Sequence, residues 1–262
     1  MIIDFHTHIF PDVIAQRAYD ALTKNANGEY FPRYDLTAKG LLDSMQKYGI
    51  DKSVVAPVAT KPTQSMKNLT WGAEARSDKL YFLAGLYPDA ESWVNNVDEA
   101  LQMGYKGIKL HPEYQNFNVW DESMYPLFEY AFSKDMFILF HAGYDPIGTE
   151  PFRSNPQAFR KLIEEFKGAN IVCAHFGGQS HWEVVYDSLA GTDVYLDTSM
   201  GFAYYGVDTF MKIFDKHGAD RILFATDSPW SDVGEELNTL LNLNVSEEDK
   251  EKILYKNALK LL

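Results

Sequence analysis

The chain has 262 residues, 46% of them hydrophobic, and a formal net charge of −13 at pH 7. This length fits one large domain or an α/β barrel of about 250 residues, with an ordinary buried core. The negative charge disfavours nucleic acids and anionic membrane surfaces as partners, because both are themselves negatively charged. No apolar run reaches the roughly 18 residues that a membrane span requires.

The single cysteine, Cys173, cannot form an intrachain disulfide, which fits a reducing compartment. It lies in an apolar run, so we expect it to be buried. The sequence begins Met-Ile-Ile-Asp-Phe-His, with an acid and a histidine where a signal peptide carries a basic and then an apolar segment. We therefore expect a cytoplasmic protein.

Eight short apolar runs, rich in β-branched and aromatic residues, predict eight β-strands. They cover residues 2–8, 52–58, 80–87, 105–111, 136–142, 170–176, 193–199 and 221–227. Between them, helical periodicity is clearest over 37–48, 92–103, 121–133, 156–167, 206–217 and 247–261. Since no linker or change of composition divides the chain, residues 1–262 are expected to form one domain.

The alternation of apolar strands with helices predicts a parallel sheet that is covered by helices. Eight such units at this length favour closure into a (β/α)8 TIM barrel over an open doubly wound sheet. No G-x-G-x-x-G follows any strand, which also argues against a dinucleotide-binding fold. The first connection is unusually long and contains Phe31-Pro32-Arg33-Tyr34, and it predicts a long loop folded over the barrel mouth.

Polar residues gather at the carboxyl ends of the predicted strands, which is where barrel enzymes carry their chemistry. His6 and His8 end the first strand and, being two residues apart, share one of its faces. The other strand ends carry Lys109, His111, His141, His175, Asp197 and Asp227. Two imidazoles at this spacing can reach one ion at about 2.0–2.1 Å, so we expect a divalent metal here.

These motifs resemble the amidohydrolase superfamily, and within it the amidohydrolase-2 branch that includes aminocarboxymuconate-semialdehyde decarboxylase. The similarity extends over nearly the whole chain. It rests on Asp4-x-His6-x-His8, Gly107-Ile108-Lys109-Leu110-His111-Pro112, His141-Ala142-Gly143, His175-Phe176-Gly177-Gly178, Leu196-Asp197-Thr198-Ser199, Thr226-Asp227-Ser228-Pro229 and Asn257-Ala258-x-x-Leu261-Leu262.

The resemblance implies a mononuclear metal site, usually occupied by zinc. It implies His6, His8 and His141 as metal ligands. Asp227 would be a further ligand that also moves a proton, and His175 would orient the metal-bound water. The branch contains both hydrolases and non-oxidative decarboxylases, so the resemblance does not select a substrate.

The residue types allow three functions. A divalent ion lowers the pKa of bound water from 15.7 to about 7, and Asp227 and His175 are the expected catalytic residues because either can accept and return a proton. We favour a hydrolase of a small amide, ester or lactone. The alternatives are a decarboxylase of a small aromatic or unsaturated acid, and a barrel that binds a metal or ligand without turnover.

Five residues near the barrel mouth are expected to bind the small-molecule substrate: Lys109, His111, Tyr144, Arg153 and Trp230. Arg153 could pair with a substrate carboxylate, while Tyr144 and Trp230 could line an apolar pocket. Lys109 has a second interpretation, since some members of the superfamily use a carboxylated lysine there to bridge two metals. The acidic surface is also compatible with a homodimer.

Overall fold

The computed structural model describes residues 1–88 and 91–262. Its strands pair in two parallel runs. The first run contains β1 (Ile3–Thr7), β2 (Lys52–Val55) and β3 (Leu80–Phe82). The second contains β4 (Ala84–Gly85), β5 (Gly107–Leu110), β6 (Phe137–Phe140), β7 (Ile171–Cys173), β8 (Tyr195–Asp197) and β9 (Ile222–Leu223).

The two runs form one sheet with eight strand positions among the described residues. Segments β3 and β4 continue each other across Leu83, whose amide donates to the Val55 carbonyl at 2.9 Å. The sheet closes where β1 meets the end of β9, because Phe5 N donates to Phe224 O at 2.9 Å and His8 N to Ser228 O at 2.7 Å. A closed parallel sheet of this size confirms the predicted (β/α)8 TIM barrel.

The buried carboxylate of Asp4 links the two segments of the closing seam, which is where β1 lies beside the residues after β9. Asp4 Oδ1 accepts a hydrogen bond from Thr226 N at 2.9 Å, and Asp4 Oδ2 accepts one from Thr226 Oγ1 at 2.6 Å. Burial raises the pKa of Asp4 to about 7. The first strand and the segment after the last strand are therefore joined through side chains as well as backbone.

Helices lie between and around the strands. They are α1 (Asp12–Asn25), α2 (Ala38–Tyr48), α3 (Ser65–Ala75), α4 (Trp93–Gln102), α5 (Pro112–Gln115), α6 (Tyr125–Ser133), α7 (Pro156–Glu165), α8 (Trp182–Ser188), α9 (Phe202–His217), α10 (Val233–Leu241), α11 (Glu247–Glu251) and α12 (Asn257–Leu261). A π-helical turn, Lys252–Lys256, joins α11 to α12. Short 3-10 turns occupy Pro62–Gln64, Glu122–Met124 and His175–Gly177.

All six predicted helical segments are present, with ends that differ by a few residues. Three of their starts are capped by side chains: Thr37 accepts from Gly40 N at 3.1 Å, Asn155 from Ala158 N at 3.0 Å, and Ser246 from Asp249 N at 3.1 Å. The predicted segment 206–217 begins earlier, at Phe202, and is interrupted at Gly206, where φ is 71°.

Two apolar layers surround the strands. Side chains inside the barrel include Phe5, Val54, Leu139 and Val172, and a larger layer lies between the strands and the helices. Alternate residues of each strand point to opposite faces, so both layers come from the same short apolar runs. Cys173 is buried in the outer layer, as predicted.

The connection between β1 and β2 was predicted as a long loop over the barrel mouth, but it contains the 14-residue helix α1. Ala15 is the buried residue of α1, and Pro11 precedes it without a capping side chain, so the usual sequence signals of a helix are weak. The helix does lie over the barrel mouth. We call α1 the lid helix.

Two hydrogen bonds fix the carboxyl end of the lid helix and the turn after it to loops of the barrel. Asn25 Nδ2 donates to Tyr114 Oη at 3.3 Å, and Tyr144 Oη donates to Glu29 Oε1 at 2.7 Å. Over residues 1–88 and 91–262, no helix combines the length and the apolar character needed to cross a membrane.

Candidate functional site

Three side chains that could hold a metal ion, His6, His8 and Asp227, converge where β1 ends beside the segment that follows β9. His6 Nε2 lies 3.1 Å from His8 Nε2, and Asp227 Oδ1 lies 3.5 Å from His6 Nε2 and 3.0 Å from His8 Nε2. Although these distances are short, Asp227 Oδ1 is buried and has no hydrogen-bond partner of acceptable geometry. Lone-pair atoms packed this closely, one of them a buried carboxylate oxygen without a hydrogen-bond partner, fit a cation between them. We call these three residues the metal cluster.

The backbone holds Asp227 in an unusual conformation. Its φ is 59°, in the left-handed region that residues other than glycine rarely adopt. The Asp227 amide donates to the His6 carbonyl at 2.9 Å, which secures the turn against β1. Such local strain is typical of functional positions, where the surrounding structure compensates for it.

A carboxylate behind His6 determines which of its ring nitrogens is protonated. His6 Nδ1 lies 3.0 Å from Asp197 Oδ2, and burial raises the pKa of Asp197 to about 6, so the carboxylate is an acceptor at neutral pH. The proton of His6 is therefore assigned to Nδ1, which leaves a lone pair on Nε2 within the metal cluster.

A second chain of hydrogen bonds starts at the same carboxylate and orients His141. Ser199 Oγ donates to Asp197 Oδ1 and accepts from His175 Nδ1 at 3.0 Å. His175 Nε2 then accepts from His141 Nδ1 at 2.9 Å. His141 is left with a lone pair on Nε2, and this atom is buried without a hydrogen-bond partner. The network thus leaves a lone pair on Nε2 of both His6 and His141, as a metal ligand requires.

Burial also keeps these imidazoles neutral. It lowers the pKa of His6, His141 and His175 well below the usual histidine value, since charging a buried ring is unfavourable. A histidine must be neutral to bind a metal, so the site has no proton to displace from these rings.

A second group of potential ligands, His111, His141 and Asp145, brings one atom from each residue within 4.8 Å of the others. The rings of His111 and His141 are stacked, with centroids 4.1 Å apart and planes inclined by 10°. An imidazole binds a metal in the plane of its ring, and one ion cannot lie in two stacked planes. Asp145 Oδ2 lies 3.4 Å from His111 Nε2, and this contact orients His111 in the stack.

Lys109 is fully buried beside the metal cluster. Its Nζ lies 3.0 Å from His6 Nε2, and burial lowers the pKa of the amine to about 8. Lys109 is therefore adjacent to the metal cluster. Both of its predicted roles, binding the substrate and bridging two metals, require this position.

A cavity of about 490 Å³ extends from the metal cluster to the lid helix. Most of the predicted site residues line it: His6, His8, Lys109, His111, His141, Tyr144, His175, Asp227 and Trp230. Arg153 does not. Its Nη2 donates to Asn116 Oδ1 at 2.7 Å, and its Nε lies 3.7 Å from Glu113 Oε2. Because these acceptors hold the guanidinium in its own loop, Arg153 is not placed to bind a ligand in the cavity.

Three residues of the site were missed from the sequence. Ser199 carried a usable signal, since it lies two residues after Asp197 and so shares its face of the strand. Asp145 lies in the loop after β6, and in a loop the spacing of residues along the sequence does not show where a side chain lies. Arg17 lies on the lid helix, which was itself not predicted, and it also lines the cavity.

The closed barrel and the histidine-rich cluster at its strand ends define a TIM-barrel protein with an enzyme-type site. The family model described as amidohydrolase matches residues 3–262. The chain therefore belongs to the amidohydrolase family, in the amidohydrolase-2 branch of metal-dependent hydrolases and decarboxylases. No curated protein matches the chain in sequence.

Solved structures share the fold over nearly the full length of the chain. An uncharacterized TIM-barrel protein from Bordetella bronchiseptica is 21% identical, with a TM-score of 0.77 over 99% of this chain and 97% of the other. The 5-carboxyvanillate decarboxylase of Novosphingobium aromaticivorans, complexed with manganese and 4-hydroxy-3-methoxy-5-nitrobenzoic acid, is 16% identical, with a TM-score of 0.75 over 100% and 95%. A candidate 2-pyrone-4,6-dicarboxylic acid hydrolase from Pseudomonas putida is 17% identical, with a TM-score of 0.70 over 99% and 96%.

Proposed function

We propose that the protein is a metal-dependent hydrolase of a small carbonyl compound, such as an amide, an ester or a lactone. The observation that carries this proposal is the convergence of His6 Nε2, His8 Nε2 and Asp227 Oδ1 within 3.5 Å of one another. These atoms lie in the wall of a cavity large enough for a small ligand.

The proposed ligands of a single divalent ion are His6, His8, His141 and Asp227. Three neutral imidazoles and one carboxylate suit zinc, which we propose as the metal, although the related decarboxylase carries manganese. When bound, the ion would polarise a carbonyl and lower the pKa of a water from 15.7 to about 7.

Two side chains are proposed to move protons. The carboxylate of Asp227 lies in the cavity wall at the metal cluster, so it is placed to accept a proton there and return it to the leaving group. His175 lines the cavity, and this position supports it as the second proposed catalytic residue. Lys109, His111, Tyr144 and Trp230 are proposed to contact the substrate from the cavity wall.

A decarboxylase of a small aromatic or unsaturated acid is the second candidate. The likeness to a decarboxylase that binds manganese and a substituted benzoic acid favours it. Hydrolysis and decarboxylation give different products, so pH-stat acid production from lactones and esters should be compared with CO2 release from candidate acids.

The metal is tested by elemental analysis of the purified protein and of its His6→Ala variant. We expect one divalent ion per chain in the wild type and a large loss in the variant, because His6 supplies a ligand at the centre of the metal cluster. Two ions per chain would instead favour Lys109 as a carboxylated bridge. If the wild type binds no divalent metal stoichiometrically, the proposed function is wrong.

Asp197→Asn is expected to weaken metal affinity by about 10- to 100-fold. An amide in place of the carboxylate can donate to His6 Nδ1, which favours the tautomer with the proton on Nε2. A chelator competition titration gives the dissociation constant. The exposed acid Asp193, just before β8, provides the control variant Asp193→Asn. Equal metal affinity in the two variants would contradict the assigned tautomer.

We also propose a cytoplasmic location, supported by the lone buried thiol of Cys173. A homodimer is proposed from the sequence only, and light scattering of the purified protein tests it.

A further inference from the structure

The cavity wall contains a buried glutamine whose side-chain oxygen has no partner in the protein. Gln179 lines the cavity and is only 3% exposed. Its Oε1 is buried and has no hydrogen-bond partner among residues 1–88 and 91–262. Buried polar atoms are nearly always paired, because an acceptor that has lost its water and gained no donor destabilises the fold. An unpaired acceptor in a cavity wall therefore indicates a ligand.

Two other glutamines show the usual arrangement. Gln115 is equally buried, and its amide is engaged at both ends: Oε1 accepts from His111 N at 2.8 Å, and Nε2 donates to Ala59 O at 2.8 Å. Gln64 also lines the cavity, but its Oε1 accepts from Thr60 N at 2.6 Å. Both of these amides have a structural role that the unpaired one lacks.

The local backbone directs the Gln179 side chain toward the cavity. The preceding residue, Gly178, has an extended backbone with φ of 166°. A Cβ on Gly178 would lie 2.7 Å from Pro156 Cγ and 3.2 Å from Val185 Cγ2, on the side of helices α7 and α8. Successive side chains of an extended segment point to opposite sides, so the side chain of Gln179 points away from these helices.

Backbone hydrogen bonds fix Gln179 beside the proposed metal ligand His141. Gln179 N donates to Ala142 O at 2.8 Å, and Tyr144 N donates to Gln179 O at 3.0 Å. The two segments pack closely, since a Cβ on Gly143 would lie 2.3 Å from Gln179 N. The amide therefore has a defined position relative to the metal cluster, in the wall of the same cavity.

The missing partner of Oε1 has to be a hydrogen-bond donor. An ionised carboxylate only accepts, so it cannot fill this role, whereas a hydroxyl both donates and accepts. A hydroxyl can pair with the amide whichever of its two ends faces the ligand. The wall also contains the apolar side chains of Ile9, Val58 and Met200, where a hydroxyl without a polar partner would be unfavourable.

We propose that the side-chain amide of Gln179 binds a hydroxyl group of the substrate. The substrate is then a small carbonyl compound that carries a free hydroxyl in addition to its reacting group. This inference rests on the proposed function and narrows the substrate class of the same site.

The test uses two pairs of probes, measured by ligand-observed NMR titration of the purified protein. The pairs are pentanoate with 4-hydroxybutanoate, and heptanoate with 6-hydroxyhexanoate. Within each pair a hydroxyl replaces the terminal methyl group, while the charge and the chain length stay the same. We expect the hydroxyl member of at least one pair to bind the wild type about 10-fold more tightly than the methyl member.

Gln179→Met keeps the length of the side chain and removes the amide, so the methyl member should bind the more tightly in both pairs. Gln179→Glu retains an acceptor and should restore part of the preference for the hydroxyl. Gln102→Met is the matched control, because Gln102 is exposed at the end of α4 and does not line the cavity. Its affinity ratios should equal those of the wild type.

A wild-type affinity ratio in Gln179→Met would overturn the inference. So would a wild type that binds none of the probes, or that prefers the methyl member of both pairs. Failure of the proposed function is distinguishable, because it appears as absence of stoichiometric metal, measured without the probes. Gln179→Met should leave the metal content unchanged, since Gln179 is not one of the proposed metal ligands.

Discussion

Asp227→Asn is expected to lower kcat/KM by about 10²- to 10⁴-fold once a substrate is in hand. The amide cannot accept a proton at the position of Oδ1, and it is a weaker ligand than the carboxylate it replaces. Steady-state kinetics, together with metal analysis of the same preparation, separates lost proton transfer from lost metal. A variant that keeps its metal and loses turnover would locate the main effect in proton transfer.

A second buried acid at the same cavity provides the control for this experiment. Asp145 lines the cavity and contacts His111 Nε2 at 3.4 Å, but it lies outside the metal cluster. Asp145→Asn should therefore reduce turnover much less than Asp227→Asn. Wild-type kcat/KM in Asp227→Asn would support the third function, a barrel that binds without catalysis.

Glu236→Gln is expected to stabilise the protein at pH 8 by about 1 to 3 kcal/mol. Glu236 is buried on α10, and its Oε2 accepts from Phe202 N at 2.9 Å, at the start of α9. Burial, together with the smaller effect of the nearby acids Glu235, Asp4 and Asp232, raises the pKa of Glu236 to about 7. Glutamine keeps an oxygen for the Phe202 amide without the buried charge.

The effect should depend on pH with a definite sign. The folded state holds the Glu236 proton up to about pH 7, whereas the unfolded state releases it near the ordinary value of 4.5. The folded state therefore binds more protons in this window, and wild-type stability falls as pH rises from about 4.5 to 7. Below the window the two proteins should differ little, and above it the variant should show its full advantage.

Chemical denaturation at pH 5, 6, 7 and 8 measures this difference directly. Asp4 and Asp197 have raised pKa values too, but both remain in the variant, so the difference between the two proteins isolates Glu236. Glu129→Gln, which removes an exposed acid from α6, controls for the change in net charge. A constant difference at all four pH values would contradict the assigned cause.

The barrel was predictable because each strand has to be apolar on both faces. Val54 and Leu139 face the barrel interior, while Val55 and Ile138 face the helices, so both strands read as short continuous apolar runs. The lid helix lacks this constraint, because one of its faces covers a cavity and the other meets solvent. Its residues consequently show little of the burial pattern that identifies a helix.

The strand ends also explain how much of the site could be predicted. His6, His8 and His141 lie on or directly after strands, and the parallel barrel brings such positions to one face. The places of Arg17 and Asp145 depend on the path of a helix and a loop, which residue spacing does not determine. Arg153 illustrates the same limit, since its loop turns the guanidinium toward Glu113.

The seam between Asp4 and Thr226 has a consequence for the order of events in folding. His6 and His8 end the first strand, whereas Asp227 follows the last, so these residues are far apart along the sequence. The proposed metal ligands cannot come together until these distant parts have met and the barrel has closed. Metal uptake during refolding should therefore follow closure, and a metal-sensitive signal would time that final step.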